Sequence, residues 1–181
     1  AWWPYIESAT PVEAILINAS GCGAWVKDYG SLLADDPAYA AKAARISQLC
    51  RDPSEILAAE QERLQPMLAA RAEKRGKLAF HSPCTLQHGL KIRGGIEQML
   101  LAVGYELTPV ADSHLCCGSA GTYSVLQPDL SKKLRHNKLT ALNAGLPALI
   151  ATANIGCLTH LQAGSVLPVR HWIELIDEVL V

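Results

Sequence analysis

Four short apolar stretches of this chain each end shortly before a cysteine. Residues 14–18, 77–81, 105–110 and 147–152 read as strands, mostly apolar and bounded by polar or small residues. Cys22 comes four residues after Asn18 and Cys84 three after His81. The Cys116-Cys117 pair follows the third stretch, and Cys157 the fourth. Helical patterns fill the intervals. Asp36-Pro37 opens one toward Leu49, and Asp52-Pro53-Ser54-Glu55 opens another toward Ala70. A third covers 95–103 before Gly104, and a fourth covers 128–144 before Gly145. Strands alternating with helices predict an α/β fold with mostly parallel sheets, in which ligands collect at the carboxyl ends of the strands. The cysteines stand at those ends.

Composition narrows the function. The chain of 181 residues is long enough for one to two small domains. Sixteen Lys and Arg against 17 Asp and Glu leave a net charge of −1, and half the residues are hydrophobic. This balance excludes a strongly basic nucleic-acid surface and a disordered chain. Apolar runs such as 99–103 fall far short of the roughly 20 residues that cross a bilayer. The opening Ala1-Trp2-Trp3-Pro4 has neither an initiator Met nor a signal segment, and reads as an excised piece of a longer protein. Six cysteines without a secretory signal favour metal ligation or catalysis over a disulfide framework.

Two short matches suggest an internal repeat. A strand followed by Asn18-Ala19-Ser20-Gly21-Cys22 parallels a strand followed by Asn154-Ile155-Gly156-Cys157. The segment Arg51-Asp52-Pro53-Ser54-Glu55-Ile56-Leu57 parallels Arg170-His171-Trp172-Ile173-Glu174-Leu175-Ile176. The cysteines lie 135 residues apart (157 − 22) and the arginines 119 (170 − 51), so the first copy has 16 extra residues, about where 36–48 reads as a helix. On this reading residues 77–181 are a complete second repeat and 1–72 the end of a first, joined by a polar segment over 69–76.

The chemistry lies in His81-Ser82-Pro83-Cys84-Thr85-Leu86-Gln87-His88-Gly89, in His114-Leu115-Cys116-Cys117-Gly118-Ser119-Ala120-Gly121-Thr122 and in Cys157-Leu158-Thr159-His160. Adjacent cysteines do not comfortably bond to each other. On a glycine-rich turn both thiolates can face one site, and soft thiolates suit an iron–sulfur cluster or zinc. His81 and His88 flank Cys84 as ligands, thiolate partners or structural residues, and His114 is placed to orient the Cys-Cys turn. Cys50, aligned with Val169, reads as a small buried apolar residue. His136 reads as solvated, His171 as a cap or packing residue at the last helix, and Tyr123 and Trp172 as core. The adjacency of Asp112-Ser113-His114 does not make a hydrolytic triad, which is set by geometry.

Taken together these motifs resemble the cysteine-rich "CCG" family, found in heterodisulfide reductase, in lactate-utilisation iron–sulfur proteins and in the iron–sulfur subunit of glycolate oxidase. The last is the nearest likeness. It is carried by Ser20-Gly21-Cys22-Gly23 with Val26-Lys27-Asp28-Tyr29-Gly30, by Cys84 to Gly89, by Asp112 to Tyr123 and by Asn154-Ile155-Gly156-Cys157. The resemblance implies an α/β, parallel-sheet CCG domain in one complete copy, preceded by the end of a second copy. It also implies the carboxyl-terminal part of a subunit that passes electrons from a flavin subunit toward the respiratory chain. Such a subunit is cytoplasmic and held at the inner face of the inner membrane only through partners. The fragment alone is not expected to oxidise glycolate.

Carried over by position, the cluster ligands are Cys84, Cys116, Cys117 and Cys157, with a 4Fe-4S cluster as the expected cofactor. The sequence departs from the family at His160, which stands where the last cysteine of a Cys-x-x-Cys belongs. In the first repeat Cys22 takes the place of Cys157, and Trp25 that of the second cysteine. A five-cysteine noncubane cluster therefore cannot form identically. A four-cysteine cluster, a cluster assisted by His160, and a zinc ion remain open. Two other function classes compete: a zinc-stabilised interaction module, and a thiol/disulfide redox enzyme of heterodisulfide reductase type, with Cys84 beside His88 and the Cys116-Cys117 pair as a disulfide-exchange centre.

Overall fold

The computed structural model describes residues 1–180. The chain opens with α1 (Trp3–Ile6), β1 (Ile15–Leu16), α2 (Ser20–Leu32), α3 (Ala40–Leu49), β2 (Cys50–Arg51), α4 (Pro53–Ala59) and α5 (Gln61–Ala70). β1 and β2 pair in parallel, with Ile15 opposite Cys50. The start of α4 follows its sequence signals. Asp52 Oδ1 accepts from Ser54 N at 2.9 Å, Glu55 Oε2 accepts from Asp52 N at 2.8 Å, and Pro53 opens the helix. The single helix expected from Asp52 to Ala70 is two, broken at Glu60. The break lets Leu57 on the first piece and Leu64 and Leu68 on the second reach one core.

The second part contains β3 (Gly76–His81), a π-helical turn (Thr85–Gly89), α6 (Gly95–Ala102), β4 (Tyr105–Leu107), α7 (Thr122–Leu126) and α8 (Pro128–Asn143). It ends with β5 (Leu149–Thr152), α9 (Ile155–Gln162), β6 (Val169–His171) and α10 (Trp172–Leu180). Its strands form one parallel sheet in the order β4-β3-β5-β6. The α/β reading with parallel sheets holds.

Strand alternation divides the core between the faces of this sheet. Leu78, Phe80 and Ala151 pack with Ile96, Leu100, Val103, Trp172, Leu175 and Ile176. Ala79 and Ile150 face the other way, with Leu139, Leu142 and Leu161 and with Cys117 and Cys157. Trp172 is core as expected, whereas Tyr123 is half-buried on α7, a helix without buried residues. α7 packs against α8.

Two features position the site. The strand order changes direction at β3, so the carboxyl ends of β3 and β5 flank a crevice, the place where open α/β sheets bind ligands. The first part of the chain then closes one side of that crevice. Ser20 N donates to Ala153 O at 3.2 Å, Ser20 Oγ and Thr85 Oγ1 share a 2.8 Å hydrogen bond, and His171 Nε2 lies 2.8 Å from Asn18 O. The two parts also share a pattern: Ile15 pairs with Cys50 as Ile150 pairs with Val169, with the offsets noted above, and α3 fills the extra interval.

Candidate metal centre

Cys84, Cys116, Cys117 and Cys157, which arrive on three separate segments, line one cleft of about 480 Å³, and Cys22 lines it from α2. Each segment is fixed by its own contacts. Cys84 follows β3 and leads into the π-helical turn, where buried Gln87 donates at 3.1 Å to both Ser82 O and Ser113 O. That amide ties the Cys84 loop to the loop before the pair. Lys138 reaches the same loop from α8, donating to Asp112 O at 2.8 Å and Ser113 O at 3.4 Å. Sequence reading missed Lys138, which stands two residues after His136 and is 3% exposed. Burial lowers its pKa, so two carbonyl acceptors are what hold it there.

The Cys-Cys turn is shaped by Gly118, whose φ of 94° is in the left-handed region. Gly118 N donates to Cys116 Sγ at 3.3 Å, and Ser131 Oγ donates to Gly118 O at 2.8 Å. Cys157 lies on the first turn of α9, where Asn154 Nδ2 donates to its Sγ at 3.5 Å. Asn154 Oδ1 meanwhile accepts from Gly21 N at 3.4 Å, joining this cysteine to the start of α2.

The thiols set one another's protonation. Cys157 is held down to about 5, first by the adjoining Cys117 thiol, with His81 and the Asn154 amide adding to this and burial opposing it. Cys117 and Cys84 together hold Cys116 far below the usual thiol range. The protons stay on Cys84, pushed up by its hydrogen bond to Cys116 and by burial, and on Cys117, pushed up by Cys116, Cys157 and burial. Two thiolates gathered with two thiols in a half-enclosed cleft make a soft, anionic donor set.

The remaining sequence candidates separate clearly. His160 does not line the cleft; its Nε2 lies 3.4 Å from Ser131 Oγ, behind the glycine of the turn. His88 is exposed, with Nε2 3.3 Å from His114 O and Nδ1 3.5 Å from Arg93 Nη2. Cys22 and Trp25 are exposed on the α2 wall. Cys50 is fully buried on β2, its Sγ donating to Gly23 O at 3.7 Å. His81, left undecided with His88 by the sequence, is 2% exposed, its Nε2 has no hydrogen-bond partner, and a ring nitrogen lies within 4.8 Å of the sulfurs of Cys117 and Cys157. An orphaned buried nitrogen beside four converging free cysteines fits a thiophilic metal or cluster. By contrast, the groove between α4, α5 and α6, about 260 Å³, is lined by no histidine, cysteine or charged side chain.

The chain is similar to known proteins. Residues 78–162 match the cysteine-rich domain family CCG. The chain is 54% identical over 180 residues to the glycolate oxidase iron-sulfur subunit of Escherichia coli (strain K12), an alignment covering 99% of this chain and 42% of that protein. It is 33% identical over 157 residues to the probable glycolate oxidase iron-sulfur subunit of Bacillus subtilis (strain 168), covering 86% and 35%. Lactate utilization protein A of Shouchella clausii (strain KSM-K16) is 25% identical over 178 residues, covering 95% and 73%. The chain thus spans less than half the length of the first two relatives.

Proposed function

We propose that this chain, which carries a cysteine-rich CCG domain over residues 78–162, holds an iron–sulfur cluster of the 4Fe-4S kind and serves electron transfer in a glycolate (2-hydroxy acid) oxidase complex. The observation that supports this best is the convergence of Cys84, Cys116, Cys117 and Cys157 in one cleft at the switch point of a parallel sheet. On this reading those four are the ligands. His160 acts from behind, steadying the Cys-Cys-Gly turn through Ser131, and Cys22 is an outer thiol of the same cleft.

A bound cluster supplies a one-electron couple whose potential depends on its charge, on hydrogen bonds to sulfur and on solvent access. The protein sets those conditions. Gly118 N and Asn154 Nδ2 donate to thiolate sulfur, Cys117 and Cys157 sit in the dry interior, and Cys84 and Cys116 face the opening. The rim, with Trp25 64% and Ile155 56% exposed, is where a flavin-containing partner subunit would approach. Catalysis of glycolate oxidation would belong to that partner, with electrons passing on toward the respiratory chain. No described helix is long and apolar enough to cross a membrane, and the proposed place is the cytoplasmic face, reached through partners. We further read residues 1–72 as the end of a first CCG repeat and 77–181 as a complete second one, on the shared pairing of β1 with β2 and of β5 with β6.

A zinc-stabilised module is the second reading, favoured by one observation. The ligand atoms of His81, Cys117 and Cys157 all lie within 4.8 Å of one another, close to the spacing around a single ion. Metal analysis after anaerobic purification separates the two. Iron and sulfide at about four each per chain, lost in the Cys116→Ser, Cys117→Ser double variant, are expected. About one zinc per chain without sulfide would overturn the cluster reading.

A further inference from the structure

We propose that His81 is a nitrogen ligand of the metal group in this cleft, an assignment that rests on the cluster reading above. Its position follows from the strand it ends. Side chains alternate along β3, so His81 shares a face with Ala79, and Ala79 belongs to the core cluster that contains Cys117 and Cys157. The parallel register sets His81 opposite Thr152 of β5, at the edge of the crevice.

Three properties distinguish this histidine from the others near the site. It is buried to 2% exposure, as Cys117 and Cys157 are to 1% and 5%, so water does not satisfy it. Its Nε2 has no hydrogen-bond partner, and Thr152 Oγ1 across the sheet is likewise buried and unpartnered. Buried polar atoms are nearly always hydrogen-bonded, so one left without a partner points to something else that takes it. Finally, a ring nitrogen of His81 and the two sulfurs lie within 4.8 Å of one another. Donors bound to one metal at about 2.0–2.3 Å stand within about 4 Å of each other, so a small movement lets His81 reach an iron already held by Cys117 or Cys157, as a fifth protein donor to the cluster. His160 and His88 lack these properties, since each has a ring nitrogen with a polar neighbour and neither is grouped with the cysteine sulfurs.

The site then has an inner, dry set of His81, Cys117 and Cys157 and an outer set of Cys84 and Cys116. A neutral imidazole among thiolates removes negative charge from the centre and raises its reduction potential relative to an all-thiolate set.

The test uses the whole chain, reconstituted anaerobically with ferrous iron and sulfide and reduced, with pulsed electron paramagnetic resonance as the readout. The expected result is a strong nitrogen coupling that changes isotope pattern when histidine is labelled with ¹⁵N. It should be lost in His81→Ala and retained in His88→Ala and His160→Ala. His81→Cys should keep iron and lower the reduction potential. If His81→Ala does not fold, labelled wild type with single alanine variants of His88, His114, His136, His160 and His171, the other five of the six histidines, identifies the nitrogen by elimination. Iron and sulfide bound without strong nitrogen coupling, or coupling that survives His81→Ala, would overturn the assignment while leaving the cluster in place. Failure of the chain to retain iron and sulfide would overturn the cluster reading and this inference with it.

Discussion

Gly118 adopts a φ of 94°, and a Cβ there would collide with the carbonyl oxygen of Ser131 and come within 3.1 Å of Leu134 Cβ and 3.2 Å of His160 Nε2. Three groups that shape the back of the Cys-Cys turn would have to move at once. Gly118→Ala is therefore expected to cost about 1–3 kcal/mol of stability, read from urea unfolding of the metal-free chain. It should also lower iron retention, because Cys116 and Cys117 shift with the turn; unchanged stability and retention would mean that the turn is not under this constraint. At this scale the sequence shows which atoms are soft donors but not which way neighbouring side chains point. His160 stands where the family has a cysteine, and in the fold it supports Ser131. His81 is one of two histidines flanking Cys84, and the signal that singles it out is present in the sequence: alternation places it with Ala79 on the cysteine face. Reading that signal needs the register of β3 against β5.

Among the elements, β1 and its following loop depend on β6 for their position. The neutral His171 imidazole donates from Nε2 to Asn18 O at 2.8 Å and accepts at Nδ1 from Ile173 N at 3.4 Å. A second proton on Nδ1 would face the Ile173 N–H. Burial first of all holds the His171 pKa below its ordinary value of 6.5. The unfolded chain therefore takes up this proton first, and the His171 contribution to stability is complete above about pH 6.5. It declines as pH falls from there toward the lowered native value. Urea midpoints of wild type and His171→Gln between pH 7.5 and 5, pH values set by that window of about 6.5 and below, are expected to converge as pH falls; a constant gap would show that this histidine is not held neutral. The strands at 77–81 and 147–152 and the helices opened by Asp52 and Pro128 were readable because apolar periodicity and capping residues agree there. α2 was not, since three glycines and a mixed pattern hide its 13 residues. Its formation depends on contacts with α3 and on the hydrogen bonds of Ser20 and Gly21. The break at Glu60 is likewise a tertiary outcome, because nothing in the local pattern requires α4 and α5 to separate.

For the molecule as a whole, the organising fact is that the thiol cleft lies where two parts of the chain meet. The β3 and β5 ends supply Cys84 and Cys157, the loop before α7 supplies Cys116 and Cys117, and α2 closes the far wall with Cys22 and Trp25. The sheet order and the cleft location follow from strands alternating with helices, which is why the site region was accessible to sequence reading. How the first part docks was not, because it depends on single contacts such as Asn154 with Gly21. The central claim is that this cleft holds a redox-active cluster. Its most direct test is a potentiometric titration of the anaerobically purified chain, followed by optical and electron paramagnetic resonance spectra. The account predicts a single one-electron transition with a paramagnetic reduced state, absent from the Cys116→Ser, Cys117→Ser variant; a chain with no redox transition across the range of biological iron–sulfur potentials, about −700 to +450 mV, would contradict it.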